Sequence, residues 1–357
     1  MGETMYDYIF QQPDALKRVF AHRKEDAAVF VRLFRENRPD RIYLIGSGSS
    51  LNAARAAAPA MEELLKIEVT PAASSAIPFI RGKAPFLIFI SQGGNSANTV
   101  AAIKAHSNYP HLAVTGTESC SVNDISDHVL IRCGEEKAGP KTKGYVSTFF
   151  LLYCISLEAA GELGLISEQE YCRKAMEAEA AVGRMEEDIR KAAEWFERNK
   201  EEMKQIEKCV CVGKHIGQAA ALESALKLQE TILIPASGYE YEEFLHGPDM
   251  AIDGKMAGLY LMPEKTDRDY ERFVGLIQYH RSRSPYVYTV GGGDELDSDR
   301  DLQIGEDAPE TMKLFAWCLP SQIMGSRIPG MTGKEGKGSL VFKELDEILE
   351  IKMKHQT

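Results

Sequence analysis

Three acid–base residues fall at helical spacing in the stretch ALESALKLQE: Glu223, Lys227 and Glu230. Glu223 and Lys227 are four apart and Lys227 and Glu230 three apart, so one helix face carries all three. A carboxylate held on such a face could move a proton on a bound substrate. A solvated ion-pair ladder needs only the same spacing, and the residue types leave both readings open. Downstream, EEFLHGPDM places His246 just ahead of Gly-Pro, which ends any helix and leaves the imidazole at an element terminus. A lone histidine is commonly structural. A glutamate and a histidine meeting in one cleft would suit proton shuttling between adjacent sugar carbons and the opening of a sugar ring.

Two loops have the composition to hold an anionic substrate. IGSGSS at 45–50 follows an apolar run and precedes an alanine-rich one, and SQGGNS at 91–96 is placed in the same way after FLIFI. Glycines let the backbone turn tightly against a ligand. Serine hydroxyls and the free N–H groups of the next helix then face the anion, at the positive end of the helix dipole. Ordinary strand–helix turns with serine N-caps would look alike. A dinucleotide fingerprint is a poor match, because Leu51 stands where the third glycine belongs. The P-loop pattern is absent.

The elements that must position these groups alternate. Short apolar runs at 41–45, 67–70, 86–91, 111–115 and 128–132 read as strands, with helices over 52–65, 97–104 and 145–163. Continuous apolar runs suit strands buried on both faces of a parallel sheet, and the alternation implies right-handed βαβ units in a doubly wound α/β fold. A charged helical stretch covers 167–207. The pattern then restarts: CVCV at 209–212 is a strand, GKHIG at 213–217 a loop, and 219–231 a helix. Runs at 255–262, 267–280 and 286–290 continue it, 313–319 reads as a further strand, and 340–354 reads as helical. This weak internal duplication predicts two α/β domains of one topology. The expected division is 1–165, a helical connector at 166–206, and 207–357 with a helical tail.

Composition bounds the partners. The 357 residues carry a formal charge of −11, which argues against nucleic acid as the main partner. Hydrophobic residues make up 44% and charged residues 27%, ordinary for a chain that buries a sizeable core. The sequence shows no signal peptide and no apolar run of about 18 residues, and Tyr6 spoils a myristoylation motif at Gly2, so no membrane partner is expected. Seven scattered cysteines suit buried, reduced thiols in a cytoplasmic protein. No metal-ligand spacing stands out, and neither a metal nor another cofactor is expected.

Taken together, GSGSSLNA at 46–53, SQGGNSANT at 91–99, ALESALKLQE at 221–230 and EFLHGPDMAID at 243–253 resemble the sugar isomerase (SIS) family. The resemblance covers roughly 35–325 and is nearest to the isomerase half of glucosamine-6-phosphate synthase and to the fructosamine-6-phosphate deglycases. It implies two tandem SIS domains, each a mostly parallel sheet flanked by helices. It implies Glu230 as the residue that moves a proton between C1 and C2, and His246 as the ring-opening residue. Ser50, Ser91, Gln92 and Ser96 would hold the phosphate, and Gly48 and Ser49 would neighbour the sugar. Glu223 and Lys227 match polar positions facing the site. In the family the histidine reaches the partner subunit's site, which implies a homodimer with sites at the subunit interface.

The chain departs from the pattern in places. Gly93 stands where the family usually has serine, keeping a backbone N–H at the phosphate but losing a hydroxyl. The glutamine-hydrolysing half and its N-terminal cysteine are missing, as is the family's LAKSVTVE-like tail with its ring-handling lysine; this chain ends EILEIKMKHQT. Synthase activity is therefore not expected. PKTKG at 140–144, with Lys141 and Lys143, resembles the deglycase loop, and its lysines could bind a phosphate or a carboxylate, or form a solvated turn. The expected activity is hydrolysis of a 6-phosphorylated fructosamine to glucose 6-phosphate and an amine. The alternatives are a glucosamine-6-phosphate deaminase, an aldose–ketose isomerase, or a non-catalytic sugar-phosphate sensor.

Overall fold

The computed structural model describes residues 3–292 and 298–353. Gly2 and the end of the tail from 354 lie outside them. The chain forms two compact units, which change over inside a long helix between residues 182 and 183 and again inside the last helix between 340 and 341. One unit gathers 11–137, 141–182 and the segment from 341. The other gathers the residues up to 10, together with 138–140 and 183–340.

Helices α1 (Met5–Phe10) and α2 (Gln12–Asn37) precede the first strand, β1 (Arg41–Gly46). Then follow α3 (Ser49–Leu65), β2 (Glu68–Ala73), β3 (Pro85–Ser91), α4 (Ala97–Ala105), β4 (His111–Thr115), β5 (His128–Leu130) and α5 (Lys143–Glu162). The strands form one wholly parallel sheet in the order β2-β1-β3-β4-β5. Every residue of β1 and β3 after the first is buried, as strands covered on both faces must be. Ile45, Leu87, Phe89, Val100 and Ile103 pack into one cluster on a face of this sheet. Helix α5 is buried at every residue from 143 to 160 and packs against α2 and α3. Contrary to the expectation of no membrane-length segment, α5 is long and apolar enough to span a bilayer, but its window lies inside the fold as a core helix. Alanines at 53, 54, 56, 57, 58 and 60 keep α3 slim enough to lie close against its neighbours.

After α6 (Glu168–Met203) come β6 (Lys208–Gly213), α7 (Ile216–Thr231), β7 (Ala236–Glu240), α8 (Tyr241–Phe244), β8 (Met256–Leu261), α9 (Tyr270–Arg283), β9 (Val287–Val290) and β10 (Asp301–Leu302). The second sheet runs β7-β6-β8-β9-β10, again all parallel, so the strand order of the first is reproduced one for one. The duplication extends to the backbone. Gly48 before α3 has φ 56° and ψ −131°, and His215 before α7 has φ 52° and ψ −124°.

Two expected elements differ. The 313–319 run is not a strand: a 3-10 turn (Glu310–Lys313) leads into α10 (Leu314–Trp317) and α11 (Leu319–Thr332). A short apolar run fits a buried helix as well as a strand, and the neighbours decide. The final helix, α12 (Lys337–Leu349), stops before 354 because Glu350 turns left-handed at φ 49° and residues 351–353 extend. Of the described cysteines, only Cys172 is exposed.

Candidate functional site

In an open sheet of order 2-1-3-4-5 the crevice opens where the strand order reverses, outside the carboxyl ends of the strands on either side. In the first sheet these strands are β1 and β3, and the loops that leave them are 46–50 and 91–96. Asn98 Nδ2, in the first turn of α4, donates to Ser47 Oγ at 2.9 Å and ties the 46–50 loop to that helix. No side chain caps the start of α3 or α4, although Ala97 N at the start of α4 donates to Ile351 O. Ser91 is 3% exposed, and its hydroxyl is buried with no hydrogen-bond partner among the described residues. An orphaned buried hydroxyl at this point suits a ligand that completes it.

The 91–96 loop is built around two glycines of different kinds. Gly94 has φ +65°, and a Cβ there would lie 2.1 Å from Cys120 Sγ, so glycine is required. Gly93 is exposed, and a Cβ there would meet nothing within 4 Å. The missing serine is therefore a loss of chemistry and not a steric demand.

Gln92 is held by a residue the sequence does not advertise. Glu136, 8% exposed, accepts from Thr142 N at 2.7 Å and Thr142 Oγ1 at 2.8 Å through one oxygen. Its other oxygen accepts from Gly144 N at 2.9 Å and Gln92 Nε2 at 3.4 Å. Lys141 Nζ donates to the Glu136 carbonyl at 2.6 Å. A buried carboxylate thus fills the N-terminus of α5 and ties the PKTKG loop to the 91–96 loop. A Cβ on Gly144 would fall 1.7 Å from Gln92 Nε2, so this glycine makes room for the amide. Lys143 is 3% exposed and donates to Gln11 Oε1 at 2.7 Å, which makes it part of the interior.

The tail supplies a second unadvertised group. Residues 351–353 run antiparallel to the 95–97 segment, with Ala97 N donating to Ile351 O at 3.0 Å and Met353 N to Asn95 O at 2.8 Å. Lys352 Nζ donates to Ser96 Oγ at 2.9 Å. Neither Glu136 nor Lys352 sits in a motif, and only the folded chain brings them to the loop.

On α7 the three-residue ladder is largely interior. Lys227 is 0% exposed, with Nζ 3.3 Å from Glu223 Oε1 and 2.5 Å from Glu230 Oε2. Burial pulls its pKa down, but the two glutamates outweigh it and the net shift is upward, so the ammonium stays charged. Glu223 is 1% exposed, while the Glu230 side chain is 36% exposed, so of the two carboxylates only Glu230 reaches solvent. Lys334 Nζ bonds Ile232 O at 2.8 Å just beyond the end of α7, and Gly338 lies so close to Glu230 that a Cβ would be 2.2 Å from its carbonyl. His246 is exposed in the turn between α8 and a 3-10 turn (Pro248–Ala251), and among the described residues no hydrogen bond or ion pair joins it to Glu230.

At the matching reversal point of the second sheet, Lys214 Nζ sits 2.6 Å from Asp267 Oδ1 and 2.7 Å from Asp269 Oδ2, and His215 Nε2 lies 3.3 Å from Asp267. Two carboxylates already neutralise the cation there, so the second crevice is ill suited to an anion.

A model of the SIS domain matches residues 36–157, the span that holds the first sheet. The glutamine–fructose-6-phosphate aminotransferase (isomerizing) of Helicobacter pylori is 28% identical over 90% of this chain and 54% of its own length. That of Pyrococcus horikoshii is 24% identical over 92% and 55%. The chain thus spans about half the length of these curated relatives. A solved structure from Clostridium difficile 630, described as a candidate phosphosugar isomerase, superposes with TM-score 0.84 at 28% identity, over 93% of this chain and 94% of that one. A glucosamine-6-phosphate deaminase from Thermotoga maritima shares the fold, with TM-score 0.67 at 22% identity over 90% and 95%.

Proposed function

The chain carries a SIS domain at residues 36–157, and from that premise we propose that it hydrolyses a 6-phosphorylated ketosamine to glucose 6-phosphate and a free amine. The observation that carries the reading is the α7 ladder, in which a fully buried lysine fixes one solvent-reaching carboxylate, Glu230. Such a group is placed to move protons without being free to swing away.

The phosphate goes to Ser50, Ser91, Gln92, the Gly93 backbone and Ser96, with Gly48 and Ser49 beside the sugar. Glu230 takes a proton from C1 while the C2 carbonyl oxygen takes one from solvent to become a hydroxyl, giving an enolamine. It returns the proton to C2, and the bond between C1 and nitrogen becomes an imine. Water adds at C1, the nitrogen takes a proton, and the C–N bond breaks to release the amine and the aldehyde of glucose 6-phosphate. The substrate's own nitrogen is the electron sink. Glu223 and Lys227 support Glu230 from behind, and Lys143 supports the PKTKG loop. His246, exposed and unattached to Glu230, serves ring opening in the site of a second copy, so the working form is a homodimer.

The likeness of the PKTKG loop to that of the deglycases supports C–N cleavage. A glucosamine-6-phosphate deaminase or aldose–ketose isomerase would use the same Glu230 proton transfer, and the names borne by the relatives favour keeping that reading. A panel of phosphorylated Amadori compounds, with glucosamine 6-phosphate and fructose 6-phosphate beside them, separates the readings. Amine and glucose 6-phosphate released from the Amadori compounds alone is the expected result. Glu230→Gln should lose about 10²–10⁴ in turnover and keep substrate affinity. Full activity in that variant would remove Glu230 from the reaction.

A further inference from the structure

Hydroxyls, two side-chain amides and backbone N–H groups make up the 46–50 and 91–96 loops, and none of these carries a formal charge. A phosphate dianion held by neutral donors alone is held less firmly than one that also meets a cation, because charge-assisted hydrogen bonds are roughly twice as strong. Among the described residues, a cation reaches the 91–96 loop from the far end of the chain, Lys352. The turn at Glu350, with φ 49°, redirects the chain after α12, and the Lys352 amide donates to Asp346 Oδ1 at 2.7 Å. The strap is then pinned by two main-chain bonds to Asn95 and Ala97, and its lysine is left to point at Ser96 Oγ.

Ser96 is the residue before α4, and its hydroxyl caps no backbone N–H of that helix. Lys352 forms no ion pair among the described residues, and it stays exposed to solvent. Its ammonium is poised, not spent. Crowding by protein atoms pulls its pKa below the ordinary lysine value, with Asp346 opposing and the nearby Lys141 charge adding to the effect. A lysine whose charge is disfavoured by its surroundings gains from an anion beside it.

We propose that Lys352, carried by the 350–353 strap, supplies the positive charge of the phosphate subsite and binds the substrate's phosphate together with Ser96. The inference rests on the assignment of the 91–96 loop to phosphate. It places the lysine at the phosphate and gives it no part in handling the sugar ring.

Full-length protein, Lys352→Met, Lys352→Arg and Ser91→Ala are titrated with inorganic phosphate and with glucose 6-phosphate, with unphosphorylated glucose as the control. Lys352→Met should weaken binding of both phosphorylated probes about tenfold to a hundredfold, the range of a hydrogen bond to a charged group. Glucose should bind no differently. Lys352→Arg should stay within about threefold of wild type. Amide exchange at Met353 should remain protected in Lys352→Met, because the strap is held by main-chain bonds. Wild-type phosphate affinity in Lys352→Met, with a loss in Ser91→Ala, overturns the lysine's role and leaves the loop assignment standing. An Arg variant as weak as the Met variant overturns it too, since charge would then not be what matters. Unchanged binding in both Lys352→Met and Ser91→Ala overturns the loop assignment and this inference with it.

Discussion

Lys227 keeps its charge where no water reaches it, because Glu223 and Glu230 stand on either side along one helix face. Removing the ammonium breaks the Glu223–Lys227 pair inside the fold, where Glu223 is 1% exposed. Breaking a buried pair in this way costs about 3–5 kcal/mol, more than the pair itself is worth against an apolar substitute. Lys227→Met should therefore lose roughly that much in urea unfolding, and adding Glu223→Gln should recover part of it. The pH dependence has a definite sign. The Lys227 pKa is raised in the folded state, so its contribution is full below the ordinary lysine value of 10.5 and fades as pH climbs through the raised one. The gap between wild type and Lys227→Met should shrink above that value. A Met variant within about 0.5 kcal/mol of wild type would show that the ladder is not a buried ion pair in solution. The spacing of the ladder was legible in the sequence. Its burial was not, because surface ladders and interior ones share the same period.

Among the elements, the glycines of the anion loops separate site from scaffold. Gly144 lies in the first turn of α5, where alanine would be favoured by about 1 kcal/mol as a helix former. Its added methyl would instead push the end of the Gln92 side chain, which is flexible and can swing off Glu136. Gly144→Ala should thus keep or raise the melting temperature while weakening binding of phosphorylated ligand about fivefold, the equivalent of one hydrogen bond of ~1 kcal/mol. Gly93→Ser, with open space around its Cβ, should leave stability within about 0.5 kcal/mol and phosphate affinity undiminished. Equal binding by wild type and Gly144→Ala, measured by calorimetry, would take Gln92 out of the phosphate site. Strands such as β1, β3 and β4 were readable because apolar runs bounded by glycine, serine or proline have few other uses. The 313–319 run was misread for the same reason in reverse: Pro320 opens α11, and the apolar residues before it are buried as α10. Glu136 was illegible because it lies in no patterned stretch, and Lys352 because 340–354 reads as one helix whereas α12 ends at Leu349. Each gains meaning only when the chain returns to the 91–96 loop.

On the scale of the whole molecule, one topology occurs twice and is used differently. The first sheet presents an orphaned hydroxyl and helix starts without side-chain caps at its reversal point, and the second presents a lysine already clamped by two aspartates. The repeat was visible as a strand–loop–helix pattern that restarts near 208. The unit a terminal segment joins was not visible. Residues up to 10 belong with 183–340 through contacts such as Arg327 over the Tyr6 ring, and contacts of that sort leave no period in the sequence. The proposed division of labour between copies can be tested without further structure. If His246 acts in the site of a partner, each site of a homodimer combines Glu230 of one copy with His246 of the other. Glu230→Gln and His246→Ala would each be inactive alone. Unfolded together and refolded as a mixture, half of the dimers should be mixed, and each mixed dimer should hold one intact site, returning about a quarter of wild-type activity. The recovered activity should rise and fall with the mixing ratio and peak at equal amounts. If His246 acts within its own chain, no ratio restores activity, because no chain then holds both residues intact.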